Sequence, residues 1–197
     1  MMIRRIALGA ALIAVGLAGV WGVVTLAPRW SGRSAPAVVV PPGVAASGPE
    51  RKIKATLYYV SEDGLSLPAV QRDVAFADSI AEQARRIVEA QLGDAPPPYV
   101  SAVPPGTPLR AVFIGERGEA FVDLGGAVRA NHPGGALDEL FTIYAIVNAL
   151  TVNLPAITRV QILLDGKEAD TLAGHVDLRH PLQKNLKWTE LQTDSDK

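Results

Sequence analysis

Three groups of residues in this chain have the types and spacing for chemistry. Asp123 and Asp165 each fall at the end of a predicted strand, and two carboxylates so placed could divide the roles of general acid and general base. The plainer reading is that Asp165 serves the Asp165-Gly166 turn and Asp123 lies on a solvated face. His175-x-Asp177 followed by His180 offers two imidazoles and a carboxylate, a donor set that suits a divalent metal. In a surface loop, solvation alone accounts for such a group. His132 sits in Asn131-His132-Pro133-Gly134-Gly135, a loop that could close over a ligand and equally a connection with no role. The chain has no Gly-x-Ser-x-Gly elbow, no phosphate-cradling glycine loop and no His-Glu-x-x-His helix. No nucleophile, base and orienting group can be assembled from it. The expectation is a non-enzymatic protein with no catalytic, cofactor-binding or metal-ligating residue, and no cofactor.

The elements that hold these residues follow from periodicity and punctuation. Ile53, Ala55, Leu57 and Tyr59 alternate with Lys54, Thr56 and Tyr58, as in a half-buried strand, and Ser61 to Gly64 turns the chain. Leu67 to Val74 gives a second strand, which Pro68 places at an edge. Asp78 to Leu92 reads as a helix with Ser79 and Glu82 as a capping box and Gly93 as its stop. Leu109 to Ile114 and Glu119 to Leu124 form a hairpin around Glu116-Arg117-Gly118. Gly125 to Gly135 is a flexible loop. Leu137 to Leu150 is the second helix, with Leu140, Phe141, Tyr144 and Val147 on one apolar face. Ile157 to Leu164 is a strand that turns at Asp165-Gly166, and a short strand follows around Asp170 to Leu178. Val160, Ile162 and Leu164 face the core, while Arg159 and Gln161 face water. The fold class is α+β: a small mixed sheet of about five or six strands with two helices packed on one face.

Ahead of this domain runs an uncharged apolar stretch, Ile6 to Ala27, behind the basic head MMIRR. As a helix it reaches roughly 33 Å, enough for a bilayer core of about 30 Å. It is longer than the apolar core of a cleaved signal, and Trp30 sits where an interfacial aromatic belongs. The organisation expected is a cytoplasmic head 1–5, a transmembrane anchor 6–27, a Pro/Gly-rich linker 28–51, a folded domain 52–186 and a polar, frayed tail 187–197. Arg4 and Arg5 favour a cytoplasmic N-terminus, which puts the domain outside the cytoplasm on a bacterial inner membrane. Ala10, Ala14, Ala18 and Gly22 recur every four residues, a stripe through which two such helices could meet. Of the 19 basic residues, Arg4, Arg5, Arg29 and Arg33 flank the apolar run, while all 20 acidic residues lie beyond it. An acidic domain without a basic stripe argues against nucleic acid as a partner. With 0 cysteines, disulfides, thiolate metal sites and lipid attachment through cysteine are all excluded.

Several segments resemble the GerMN domain of sporulation and spore germination proteins. Thr56-Leu57-Tyr58-Tyr59 followed by Glu62-Asp63-Gly64 is similar to its opening strand, and Val103-Pro104-Pro105-Gly106-Thr107 to its proline-glycine-threonine stretch. Gly118 to Leu124 is similar to its second hairpin strand. Tyr144 to Leu150, then Thr158 to Gly166, are similar to its helix and closing strand-turn. The resemblance spans roughly Ile53 to Leu178. The chain departs from the family pattern at Asn148-Ala149-Leu150-Thr151, where members often carry threonine before the leucine, and in lacking the lipid-attachment cysteine of many members. The resemblance implies an extracytoplasmic, membrane-tethered envelope domain, with relatives in ring-building modules and in envelope signalling systems. It implies no catalytic residue. The function expected is protein interaction within an envelope complex, in its assembly or signalling, with envelope proteins or further copies of the chain as partners. A module binding a small ligand or cell-wall glycan is the alternative, although the aromatic residues mostly fall in core patterns.

Overall fold

A computed structural model describes residues 51–189. Strand β1 (Lys52–Tyr58) pairs antiparallel with β2 (Ala69–Ala75), Lys52 opposite Ala75 and Tyr58 opposite Ala69. Helix α1 (Ile80–Leu92) follows, its N-cap Ser79 accepting the Glu82 N–H as the capping box requires. Strands β3 (Leu109–Ile114) and β4 (Glu119–Leu124) form the expected hairpin. Next come a single helical turn, α2 (Ala127–Ala130), and the long helix α3 (Ala136–Asn153). Strand β5 (Arg159–Leu164) returns parallel to β4, and β6 (Lys167–Glu168) and β7 (Leu182–Gln183) both pair antiparallel with β5. The fold is α+β with a mixed sheet and three helices.

The strands divide between two sheets rather than one: β1–β2, and a larger sheet ordered β3-β4-β5-β6 with β7 also on β5. The reason lies in the outer edge of β1. Thr56 exchanges both backbone bonds with the Asn153 amide, at 2.8 and 2.7 Å. Tyr58 does the same with Gln91, at 2.9 and 2.6 Å, and Val60 with the backbone of Val100, at 2.9 Å each way. From Thr56 to Val60 every second residue is thus satisfied without a neighbouring strand, which keeps this half of the edge from joining the larger sheet.

Helix α3 packs against β1, β5, β7 and α1. It is apolar nearly all round, and Phe141, Ile143, Ala145, Ile146, Val147, Ala149 and Leu150 are fully buried. The expected one-sided face is therefore too narrow; Leu140 and Tyr144 are only partly buried. The far face of the larger sheet is also covered along β5. Gln161, expected in water, is buried at 3% exposure, and its Nε2 donates to Leu178 O at 2.5 Å. Arg159 stays half exposed beside Glu119 at 3.3 Å. The strand expected over Asp170 to Leu178 is a loop, and the short strands β6 and β7 lie on either side of it. The tail begins ordered. Trp188 meets Phe141 edge-on with ring centroids 6.3 Å apart, and its carbonyl accepts the Leu67 N–H.

Among the described residues no helix is long and apolar enough to cross a membrane. The anchor 6–27, its stripe Ala10, Ala14, Ala18 and Gly22, and the linker up to residue 50 lie outside the described residues.

Candidate functional site

A cleft of about 270 Å³ opens between the Val100–Pro105 segment and the loop before α3. Val60, Val103, Pro104, Pro105 and Pro133 supply apolar surface, Phe141 and Thr142 lie at its base, and Asp138 is an exposed carboxylate at its rim. The prolines keep the wall from forming a ladder, so its shape comes from packing and side-chain bonds. One relay sets the distance between the two walls. Gly134 N–H donates to His132 Nδ1 at 3.0 Å, His132 Nε2 lies 3.2 Å from Thr142 Oγ1, and that hydroxyl donates to Ala102 O at 2.6 Å. Because Nδ1 accepts, the network assigns the proton to Nε2. The stretch expected to be a flexible loop thus contains α2 and an anchored histidine. His132 braces the cleft and is no free lid residue.

Asp123 and Asp165 do come together, around Arg110. Asp123 Oδ2 accepts from Arg110 Nε at 3.0 Å and its Oδ1 from Gly166 N–H at 2.7 Å. Asp165 Oδ1 accepts from Gly126 N–H at 3.0 Å, with Arg110 Nη1 at 3.9 Å. Asp165 and Gly166 have positive φ, 52° and 77°, as an Asp-Gly hairpin turn demands. A Cβ on Gly126 would stand 2.5 Å from Asp165 Oδ2, so that close approach needs glycine. The arrangement fastens the β5–β6 turn to β4 and to the start of α2.

His175 and Asp177 face separate partners, and His180 is exposed. The Asp177 carboxylate is taken by Arg179, whose guanidinium and backbone N–H hold it well below the usual carboxylate range. His175 turns instead to Glu139, which is not among the residues singled out by motif and spacing. Glu139 is 0% exposed on α3. Its Oε1 accepts the N–H groups of Leu172 and Ala173, each at 2.8 Å; its Oε2 accepts the His175 N–H at 2.7 Å and Nδ1 at 3.1 Å. Burial alone would raise its pKa, but the backbone donors of Ala173, His175, Val176 and Leu172 outweigh it and hold the carboxyl below its ordinary value. Arg129 grips the same loop from the opposite polarity, donating to the carbonyls of Leu172 at 3.1 Å and Thr171 at 2.6 Å. Among the described residues no group of three or more His, Asp or Glu side chains converges as a metal site would. The available signal for Glu139 was a carboxylate inside an otherwise apolar helix, with a small-residue loop, Thr171 to Gly174, downstream.

A mixed sheet wrapped on a buried central helix, with an apolar cleft at the helix start, defines a small α+β module. The Germane family, described as sporulation and spore germination, matches residues 56–170, and the chain belongs to it. Two solved structures from Bacillus subtilis share the fold. The first GerMN domain of the sporulation protein GerM is 18% identical, covering 68% of this chain and 96% of that one, with a TM-score of 0.50. The tandem GerMN domains of the same protein are also 18% identical with a TM-score of 0.50, covering 69% of this chain and 46% of the tandem chain. At that identity the likeness is one of fold. No curated protein matches the sequence.

Proposed function

We propose that the chain is a non-enzymatic interaction domain of the bacterial cell envelope. It is held on the outer side of the inner membrane by Ile6 to Ala27 and acts in the assembly or signalling of an envelope complex. The cleft carries this reading. Its lining is mostly apolar and proline-rich, with Ser101, Asn131 and Thr142 as polar members and a single rim carboxylate, Asp138, which suits an apolar segment of another protein better than a reaction. Of the residues singled out as chemical candidates, Asp123, Asp165, His132 and His175 are engaged in bonds that shape the fold, and Asp177 is paired with Arg179. The family match and the uncharged stretch behind MMIRR support the envelope location. The alternative of a glycan ligand finds less support, because Phe141 is the cleft's only aromatic and is fully buried, leaving no ring face for a sugar.

Proximity labelling from native membranes tests the proposal. Val100 is 57% exposed, so Val100→Asp should fold while placing a charge against the apolar lining. The wild-type chain should label an envelope protein that Val100→Asp loses and Gln71→Ala, on the remote sheet edge, retains. Identical labelling by all three chains refutes the cleft as the binding surface.

A further inference from the structure

One wall of the cleft hangs on a single imidazole. Before it, Asn131 N–H still bonds Ala127 O in α2, and after it α3 opens with Glu139 N–H on Gly135 O. Between these points, Pro133 and Gly134 make one hydrogen bond among the described residues, from Gly134 N–H to His132 Nδ1 at 3.0 Å. No side chain caps α3, since its N-cap is Gly135. Gly134 and Gly135 have φ of 85° and 92°, and nothing stands within 4 Å of a Cβ placed on Gly134. The backbone here is free to turn, and the His132 ring is what fixes it.

The ring can do this in one protonation state only. The Thr142 hydroxyl gives its one proton to Ala102 O at 2.6 Å, so towards His132 it can only accept. Nε2, at 3.2 Å, must therefore donate, and Nδ1 must accept from Gly134. A protonated imidazole carries a hydrogen on both nitrogens and has no acceptor left. Its Nδ1–H would then meet the Gly134 N–H, donor against donor.

We propose that His132 is a pH-sensitive latch on the cleft. Neutral, it ties the Pro133–Gly135 segment to α3 and to the Ala102 wall; protonated, it keeps Thr142 and releases Gly134. The tie is thus present on the alkaline side of the ring's titration and lost on the acid side, and histidine is the side chain that ordinarily changes charge between about pH 5 and 8. The charged groups nearby come from two helices. On α2, Arg129 directs its guanidinium to the carbonyls of Thr171 and Leu172. On α3, Glu139 is buried and bonded to the backbone from Leu172 to His175 and to the His175 ring. Asp138 is exposed, and its Oδ2 lies 3.6 Å from where a Gly135 Cβ would stand. The Val100–Pro105 wall brings no titratable side chain. Of these groups Asp138 alone is free to accept the displaced Nδ1–H, so the released state has a partner of its own. That the latch governs binding rests on the cleft being the interaction surface; the latch itself does not.

Backbone ¹⁵N relaxation on the whole chain in lipid nanodiscs tests this without any partner. The Gly134 and Gly135 amides should have order parameters of about 0.85 at pH 7.5 and below about 0.6 at pH 5. His132→Asn cannot take up the proton, and its Oδ1 can accept Gly134 N–H in an Asx turn. That variant should stay rigid at both pH values. His175→Ala should loosen in acid as the wild type does, because its ring serves Glu139. A wild-type segment still rigid at pH 5 overturns the proposal, and so does equal loosening in His132→Asn. Loss of the acid response in His175→Ala would assign the titration to the Glu139 loop and overturn it too. Labelling by Val100→Asp is a separate result, so failure of the latch and failure of the cleft as a binding surface are told apart.

Discussion

Replacing Glu139 by glutamine tests the buried carboxylate directly, because the substitution keeps the shape and removes the charge. The carboxylate accepts four bonds, three from backbone N–H groups and one from the His175 ring. A glutamine amide has one oxygen. Whichever way it is turned, its NH2 faces two donors that had an acceptor. Hydrogen bonds to a charged group contribute about 1.5–3 kcal/mol each, so the gross loss is about 3–6 kcal/mol. Relief of the carboxylate's desolvation and local relaxation of the Thr171–Val176 loop offset part of this. The net cost should be about 2–4 kcal/mol, a large part of the roughly 5–15 kcal/mol available to a domain. At roughly 3–5 °C per kcal/mol for this size, Tm should fall by about 6–20 °C.

Acidity gives the sharper signature. The Glu139 carboxyl titrates below its ordinary value of 4.5 in the folded chain, so its contribution is fully present above that pH. It is lost as the pH falls through the lower folded value, where the wild-type side chain becomes a neutral acid resembling glutamine. The stability gap between wild type and Glu139→Gln should therefore narrow on acidification. Thermal unfolding followed by circular dichroism at pH 7 and at successively lower pH reads the gap. A gap below about 0.5 kcal/mol at pH 7, or one unchanged into acid, refutes the assignment.

Three further outcomes follow from the packing and the sequence. Gln91→Ala and Asn153→Ala should each cost about 1–3 kcal/mol in urea unfolding, because each strands an N–H and a C=O on the β1 edge; a cost under about 0.5 kcal/mol counts against edge sealing. Phe141→Ala should cost about 3–5 kcal/mol, while Arg159→Ala on the half-exposed side of β5 stays within about 0.5; comparable losses would show that β5 is covered more completely than described. Mass spectrometry of the mature protein should find Ile6 to Ala27 still attached, and a mature N-terminus after Ala46 would show a cleaved signal instead.

Local punctuation was readable from the sequence where a residue acts on its own neighbours. The Ser79 cap, the Asp165-Gly166 turn and the β3–β4 hairpin depend on contacts a few residues long, and all three stand as expected. What could not be read acts across the chain. Gln161 alternates like a wet residue, yet its amide is claimed by Leu178, a bond that only the path of the covering segment reveals. Glu139 and His175 are 36 residues apart in sequence, and nothing local marks the loop that brings them together. Near neighbours alone do not place the candidate residues: Asp123 and Asp165 meet around Arg110 and His175 turns to Glu139, contacts set by the path of the chain rather than by local spacing.

The buried amides explain the division into two sheets. Gln91 and Asn153 sit near the C-terminal ends of their helices, where a helix pattern treats an amide as surface decoration. Placed against β1, each becomes a substitute strand residue, one donor and one acceptor at peptide spacing. Asn148 does the same for Asn185, at 2.8 and 2.9 Å. A helix can pair with one residue of a strand edge through an amide and cannot propagate the ladder, so this device ends a sheet as well as satisfying it. β1 is ended three times over, by Asn153, Gln91 and Val100.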